Sequence, residues 1–390
     1  ATLRCLQAEF SPEEGERRFY ALDNLHPSWR PPEGMQWFTE QEVTLLKLSS
    51  QLELTMILRW FNWMHSDSSL RPDWMRPGWL PQAARWMVDL AERMEMEGLL
   101  SVQQLRAWSR SSTVRLLTEK GDLYLKAVPE MFNYEPIITR VISIRYPEHA
   151  PEVLAVHVEN GWMLMHDFKG RPLRGIADIE VWKRALTRYA ELQIDLAPSS
   201  QSLIGLGVPD RNVDYLCTQI ERLMKDLPEA LSEEERFELR RIAPTLRSLC
   251  YQLTEHRIPQ TLTHGDMWSS NIVIRDDESC LFFDWSDASI SYPFFDIPFF
   301  LSEIESELPD IPDAREQLRD AYLQPWVRYE PMSHLQRAYE IAEVLGALHQ
   351  ALIYYSHILP GIEANARWEM QNMLPMLLRQ VIAATRLFKF

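Results

Sequence analysis

T-H-G-D-M-W-S-S-N, Thr263 to Asn271, is followed by a short apolar run, a polar turn and then F-F-D-W, Phe282 to Trp285. Asn271 to Ile274 and Cys280 to Phe283 are strand-forming runs, and Arg275 to Ser279 between them is polar. The spacing therefore predicts a β-hairpin. Such a hairpin returns Asp284 to the neighbourhood of Asn271, so that Asp266, Asn271 and Asp284 share one locality.

That set suits phosphoryl transfer. A γ-phosphoryl group in flight spreads charge over its oxygens, so a protein must hold magnesium against the phosphates and present one carboxylate to the incoming hydroxyl. Asp266 would face the acceptor hydroxyl, while the Asn271 amide oxygen and the harder Asp284 carboxylate would reach the metal. H-G-D alone is also a common turn, with Gly supplying positive φ and Asp capping a backbone N–H. The Asn at its offset, the hairpin and the second Asp are separate requirements that a turn leaves unexplained.

His264-Gly265-Asp266, Asn271 and Asp284-Trp285 resemble the aminoglycoside phosphotransferase and choline kinase-like family of the protein kinase-like superfamily. The resemblance implies an α+β, two-lobed fold, with a small antiparallel sheet lobe and a larger, mainly helical lobe, here preceded by an N-terminal extension. It also implies ATP, or GTP as in some members, with magnesium, and a small-molecule hydroxyl as acceptor. Asp296, closing W-S-D-A-S-I-S-Y-P-F-F-D, is then expected to brace the catalytic loop by accepting from His264 or from loop N–H groups. Asp287 would contact substrate or cap a turn.

The remaining parts of such a site lie upstream. Leu123 to Val128 reads as a strand after the strand Val114 to Thr118, and Lys126 inside it fits the lysine that clamps the nucleotide phosphates. The bland alternative is an edge-strand lysine in solvent. Glu135, just before Pro136 and so at a helix start, is the expected carboxylate partner, with Glu130 its competitor. The loop over the phosphates, Trp108 to Thr113, has no glycine, and Ser111 with its neighbouring hydroxyls, N–H groups and Arg110 would bind phosphate instead. Two apolar runs around Asn160-Gly161 form a hairpin, and backbone groups at Met165 to Asp167 would meet the adenine edge.

Beyond Asp167 to Gly170, which resembles the hinge joining the two lobes, Val181, Trp182, Ala185, Leu186, Tyr189 and Leu192, and then Val213, Leu216, Cys217, Ile220, Leu223 and Met224, recur at helical spacing. Ser232 to Glu235 is a capping box. The acidic run Glu303, Glu305, Glu307, Asp310 and Asp313 would bind an amine-bearing acceptor or form a solvated helix face. The expected organisation is an extension with linker over 1–80, a nucleotide-binding lobe over 81–168 and a catalytic lobe over 169–390. In the extension, Thr2 to Phe10 and Glu16 to Asp23 read as strands joined by a turn over Ser11 to Gly15. Thr39 to Glu42 reads as a capping box before a stripe from Val43 to Phe61, and Arg71 to Pro81 as a linker. The segment resembles the end of a Nudix-type hydrolase domain but lacks the paired glutamates of its catalytic box, which leaves a cap on the small lobe.

Composition narrows the partners. With a net charge of -16 the chain is no nucleic-acid binder, because phosphate neutralisation needs a basic surface. Four dispersed cysteines without metal spacing, and no signal peptide, suit a reducing cytoplasm. Ile341 to Leu359, the most apolar long stretch, carries Glu343, His349, Gln350 and His357 and reads as a buried helix, leaving no membrane span. Two other classes compete: a nucleotide-binding regulatory module without turnover, against which the intact Lys126, Asp266, Asn271 and Asp284 speak, and a protein kinase. The protein-kinase reading lacks the H-R-D form, the glycine-rich loop and an A-P-E string. Acceptor identity and oligomeric state are left open.

Overall fold

A computed structural model describes residues 1–11, 15–25, 28–48, 51–66, 68–96 and 98–388. The chain divides into two compact units, Ala1–Glu130 with Gly361–Glu369, and Met131–Pro360 with Met370–Phe390. As expected the fold is α+β, antiparallel strands accompanying a larger helical part.

In the first unit β1 (Thr2–Ser11) and β2 (Gly15–Leu22) pair antiparallel with Ser11 opposite Gly15. The turn expected between them falls on 12–14, outside the described residues. The capping box at Thr39 and Glu42 forms, yet α1 (Glu40–Val43) lasts a single turn and α2 (Gln51–His65) is a separate helix. The expected continuous stripe from Val43 to Phe61 is therefore interrupted. Val43 is the only buried residue of α1, too small an apolar anchor to offset the cost of helix nucleation.

The expected linker over Arg71 to Pro81 is instead a packed segment. Trp74, Met75, Trp79 and Leu80 are buried, Pro72 precedes a 3-10 turn at Asp73–Met75, and Gly78 at φ +84° leads into α3 (Trp79–Arg93). Here proline and glycine shape a bend, and the large apolar side chains between them seek the core. β3 (Leu99–Ala107), β4 (Ser112–Thr118) and β5 (Leu123–Ala127) follow as an antiparallel meander, with Leu116 opposite Leu123 and Thr113 opposite Lys126. Ser112, Val114, Leu116 and Thr118 are buried in strict alternation, the period of two that a half-covered strand requires. The Gln104 side chain clasps β1 through both backbone groups of Thr2, at 2.7 and 2.9 Å.

The second unit opens with α4 (Glu135–Arg145) and the hairpin β6 (Val153–His157) and β7 (Trp162–His166). Asn160-Gly161 does turn the chain, within a longer loop that includes a 3-10 turn at Val158–Asn160 and Gly161 at φ +63°. After β8 (Arg171–Pro172) come α5 (Ile179–Leu196), α6 (Ser200–Gly205), α7 (Val213–Lys225) and α8 (Glu233–Thr254). The apolar residues expected on α5 are buried, as are those of α7 apart from the half-buried Cys217. The Ser232 capping box forms in both directions, at 2.8 and 3.2 Å.

Short strands then carry the motifs: β9 (Thr261–Thr263), β10 (Ile272–Ile274), β11 (Cys280–Phe282) and β12 (Ser289–Ser291). β9 pairs with β12, and β10 lies between β11 and β8. Behind them stand α9 (Ile297–Ser302), α10 (Ile304–Glu307), α11 (Ala314–Leu323) and α12 (Met332–Ile353), with α12 buried along most of its length. Among the described residues no helix is long and apolar enough to cross a membrane, and no cysteine is in a disulfide.

Candidate active site

The strings Thr263 to Asn271 and Phe282 to Trp285 converge. Ile272 stands opposite Phe282 across the β10–β11 hairpin, and the Phe283 N–H donates to the Asn271 carbonyl at 3.1 Å. Thr263, at the end of β9, stands opposite Ser289 on β12, so the segment from Trp285 to Asp287 is returned against the H-G-D turn. Gly265 at φ +76° shows how close that return is: a Cβ there would lie 2.2 Å from the Asp287 carbonyl oxygen. Only glycine fits both the left-handed backbone and the space.

His264 is wholly buried beside it. Its Nδ1 accepts from the Asp266 N–H at 3.3 Å, its Nε2–H donates to the Phe283 carbonyl at 2.8 Å, and its ring lies 4.7 Å from that of Trp285. Burial holds the imidazole below its ordinary pKa, against the opposing pull of Asp296. A neutral ring with one donor and one acceptor is what these bonds require.

Asp296 accepts from the backbone N–H of His264 at 2.8 Å and of Gly265 at 2.9 Å, and from the Tyr189 hydroxyl on α5. Both bonds to the loop come from backbone N–H groups, that of His264 itself among them. Burial raises the Asp296 carboxyl, opposed first by the Tyr189 hydrogen bond. Donors aimed at both of its oxygens favour the carboxylate. From α12 the Gln350 amide donates to the Gly265 carbonyl, so the turn before Asp266 is held on its other side as well.

Asp266 itself is half-buried. Its Oδ1 accepts from the Trp268 indole N–H at 2.8 Å, and its Oδ2 lies 3.4 Å from the Asn271 Nδ2, which donates at 2.9 Å to the Asp266 carbonyl. With its nitrogen committed there, Asn271 has its amide oxygen available as a ligand. Asp284 sits at φ +68°, a left-handed conformation that Asp tolerates at modest cost, and its Oδ1 accepts from Ser286 at 3.0 Å. Among the described residues no group of three or more His, Cys, Asp or Glu side chains could hold a metal alone. One carboxylate and one amide oxygen nonetheless fit magnesium, which keeps waters and borrows phosphate oxygens.

Sequence reasoning missed several supports of this loop. Tyr189 and Gln350 carry no motif of their own, and their roles follow from bonds that span 107 and 85 residues, while Trp268 lies inside the string Thr263 to Asn271 and bonds Asp266 two residues away. Glu303, read only as part of an acidic run, accepts from the Ser269 N–H at 2.8 Å, and Glu307 accepts from the Gly175 N–H at 2.8 Å. These two are thus structural acceptors, while Glu305, Asp310 and Asp313 are exposed. Asp287 is buried in its 3-10 turn.

The other expected residues divide between the units. In the second, Glu135 opens α4 fully buried, whereas Glu130, its competitor, is an exposed residue of the first unit. Met165 stands opposite Val153 and packs with it and Met163, with Phe168 against them, and Asp167 is exposed just beyond β7. In the first unit Lys126 is only 8% exposed, which removes the solvent-edge alternative. The loop between β3 and β4 is confined to 108–111, where the Ser111 hydroxyl accepts from the Trp108 indole at 2.9 Å.

Residues 75–332 match the family model described as "Phosphotransferase enzyme family". The fold is similar to that of a Plasmodium vivax ethanolamine kinase, at 15% identity and a TM-score of 0.53, covering 90% of this chain and 99% of that one. It is similar also to the choline kinase LicA of Streptococcus pneumoniae, at 11% identity and a TM-score of 0.52, covering 77% and 99%. An aminoglycoside 2'-phosphotransferase solved with GDP matches at 16% identity and a TM-score of 0.51, covering 78% and 97%. A search of curated proteins finds no sequence match.

Proposed function

Because the chain belongs to the phosphotransferase enzyme family, we propose that it moves the γ-phosphoryl group of a nucleoside triphosphate to a hydroxyl of a small molecule. The observation that carries this reading is the loop in which Asp266 and Asn271 are bonded together while the hairpin returns Asp284 beside them. Asp266 takes the acceptor proton or orients the hydroxyl. The Trp268 indole occupies its Oδ1, so the less tightly held Oδ2 faces the acceptor. Asn271 and Asp284 hold magnesium, which when bound neutralises charge on the phosphates. Lys126 supplies a fixed cation for the nucleotide, Glu135 a buried carboxylate to position it, Ser111 a phosphate donor, and the backbone at Met165 to Asp167 the adenine contacts.

The acceptor class follows from what is missing as much as from what is present. No A-P-E string follows Asp284, so no peptide-binding segment is indicated and a metabolite or antibiotic hydroxyl is the substrate. Since one similar structure holds GDP, ATP and GTP are both to be tried. Nucleotide consumption over a panel of amino alcohols, sugars, aminoglycosides and macrolides would identify the acceptor. Asp266→Ala should then lower turnover by roughly 10²- to 10⁴-fold while nucleotide still binds. Full turnover in that variant would overturn the assignment.

A further inference from the structure

The loop Trp108 to Ser111, expected to cover the nucleotide phosphates, is fastened by residues from outside the region matched by the family model. Trp74 donates its indole N–H to the Trp108 carbonyl at 2.8 Å, and Glu369 accepts through Oε2 from both the N–H, at 3.1 Å, and the hydroxyl of Ser109. Both lie outside residues 75–332. Within the loop, the Trp108 N–H closes on the Ser111 carbonyl at 3.1 Å.

Glu369 reaches the loop because Gly361–Glu369 belongs to the first unit although the chain on either side of it belongs to the second. The segment is anchored at Glu363, which is 7% exposed. Glu363 accepts from the Trp63 indole at 2.6 Å and from Arg71 at 3.1 Å, with Arg4 3.6 Å away. Arg4 also donates to the Asn365 side chain at 3.2 Å. Polar contacts thus tie the N-terminal extension to Glu363 and Asn365, and further along the same segment Glu369 holds Ser109.

The physical need is clear from the loop's composition. A glycine-rich loop wraps phosphate with its own mobile backbone; this one has no glycine and its Ser109 is 3% exposed. A buried N–H and hydroxyl must be satisfied or the loop loses its shape. Resting on the phosphotransferase reading above, we propose that Glu369 is a positioning residue for the nucleotide: it fixes Ser109 so that the remaining loop donors meet the phosphates in one geometry. The N-terminal extension, by seating Glu363, is part of the same device.

Calorimetric titration of the full chain with Mg-ATP and Mg-GTP tests this, alongside thermal melting. Glu369→Ala should raise the nucleotide dissociation constant about tenfold. Glu369→Gln, which keeps an acceptor for Ser109, should stay within about threefold, and a merely structural role would lower the melting temperature without such a split. Should Glu369→Ala fail to fold, Ser109→Ala removes only the hydroxyl contact and should still weaken binding. Native-like affinity in folded Glu369→Ala or Ser109→Ala overturns the proposal, as does tighter binding, which would make Glu369 a competitor of phosphate. Failure of the native chain to bind either nucleotide would instead sink the phosphotransferase reading itself.

Discussion

At the scale of single residues, the site is built by taking conformational freedom away from Asp266. Its backbone N–H is spent on His264, its carboxylate is oriented by Trp268, and the glycine before it is pinned by Asp296 and Gln350. Gly265→Ala would press a methyl group into the Asp287 carbonyl at a positive φ, so it should cost about 2–4 kcal/mol in urea denaturation and reduce turnover with it. Asp266, Asn271 and Asp284 were legible in the sequence because their relation is local: one loop and one hairpin bring them together. Tyr189, Gln350 and Glu303 were not, because a buried hydroxyl, an amide on a core helix and a glutamate in an acidic run acquire their roles only when distant segments pack.

Among the elements, legibility followed the strength of the periodic pattern. α5 and α7 carry apolar residues at three- and four-residue spacing and bury nearly all of them, while α8 begins where its capping box says it should. Ser232→Ala should therefore lower the stability of the second unit by about 1 kcal/mol, read as a shift in urea midpoint, without changing nucleotide affinity. That box reaches further than the sequence suggested, since Glu235 also accepts from Arg379 at 2.6 Å in the last helix, Met373–Leu387. The same capping signal at Thr39 preceded a helix of one turn, because a cap can start a helix but a buried face must sustain it. Arg71 to Pro81 misled for the converse reason. Its prolines read as a linker, and its two tryptophans decided the packing.

For the whole molecule, buried polar groups govern the response to acid. His349 on α12 is buried against Arg211, Ser291 and Phe295, and burial, aided by Arg211, lowers its pKa to about 3. The unfolded chain has an ordinary imidazole near 6.5 and so binds the proton first. Stability is full above about pH 6.5 and falls toward pH 3, by up to about 1.4 kcal/mol per pH unit from this group. His349→Gln should flatten that slope in urea titrations run between these limits; an unchanged slope would count against the mechanism. The α+β class and the family were readable from the motif loop, whereas the return of Gly361–Glu369 to the first unit had no sequence signal, being a matter of which distant arginines find a carboxylate. That return has a consequence for biosynthesis. The ribosome makes Arg4, Trp63 and Arg71 early, yet their shared partner Glu363 emerges only after the entire stretch to Pro360. The second unit can thus gather most of its core while the first still waits for its charges to be matched, so the N-terminal unit of this protein, though begun first, is completed only after most of the second has been made.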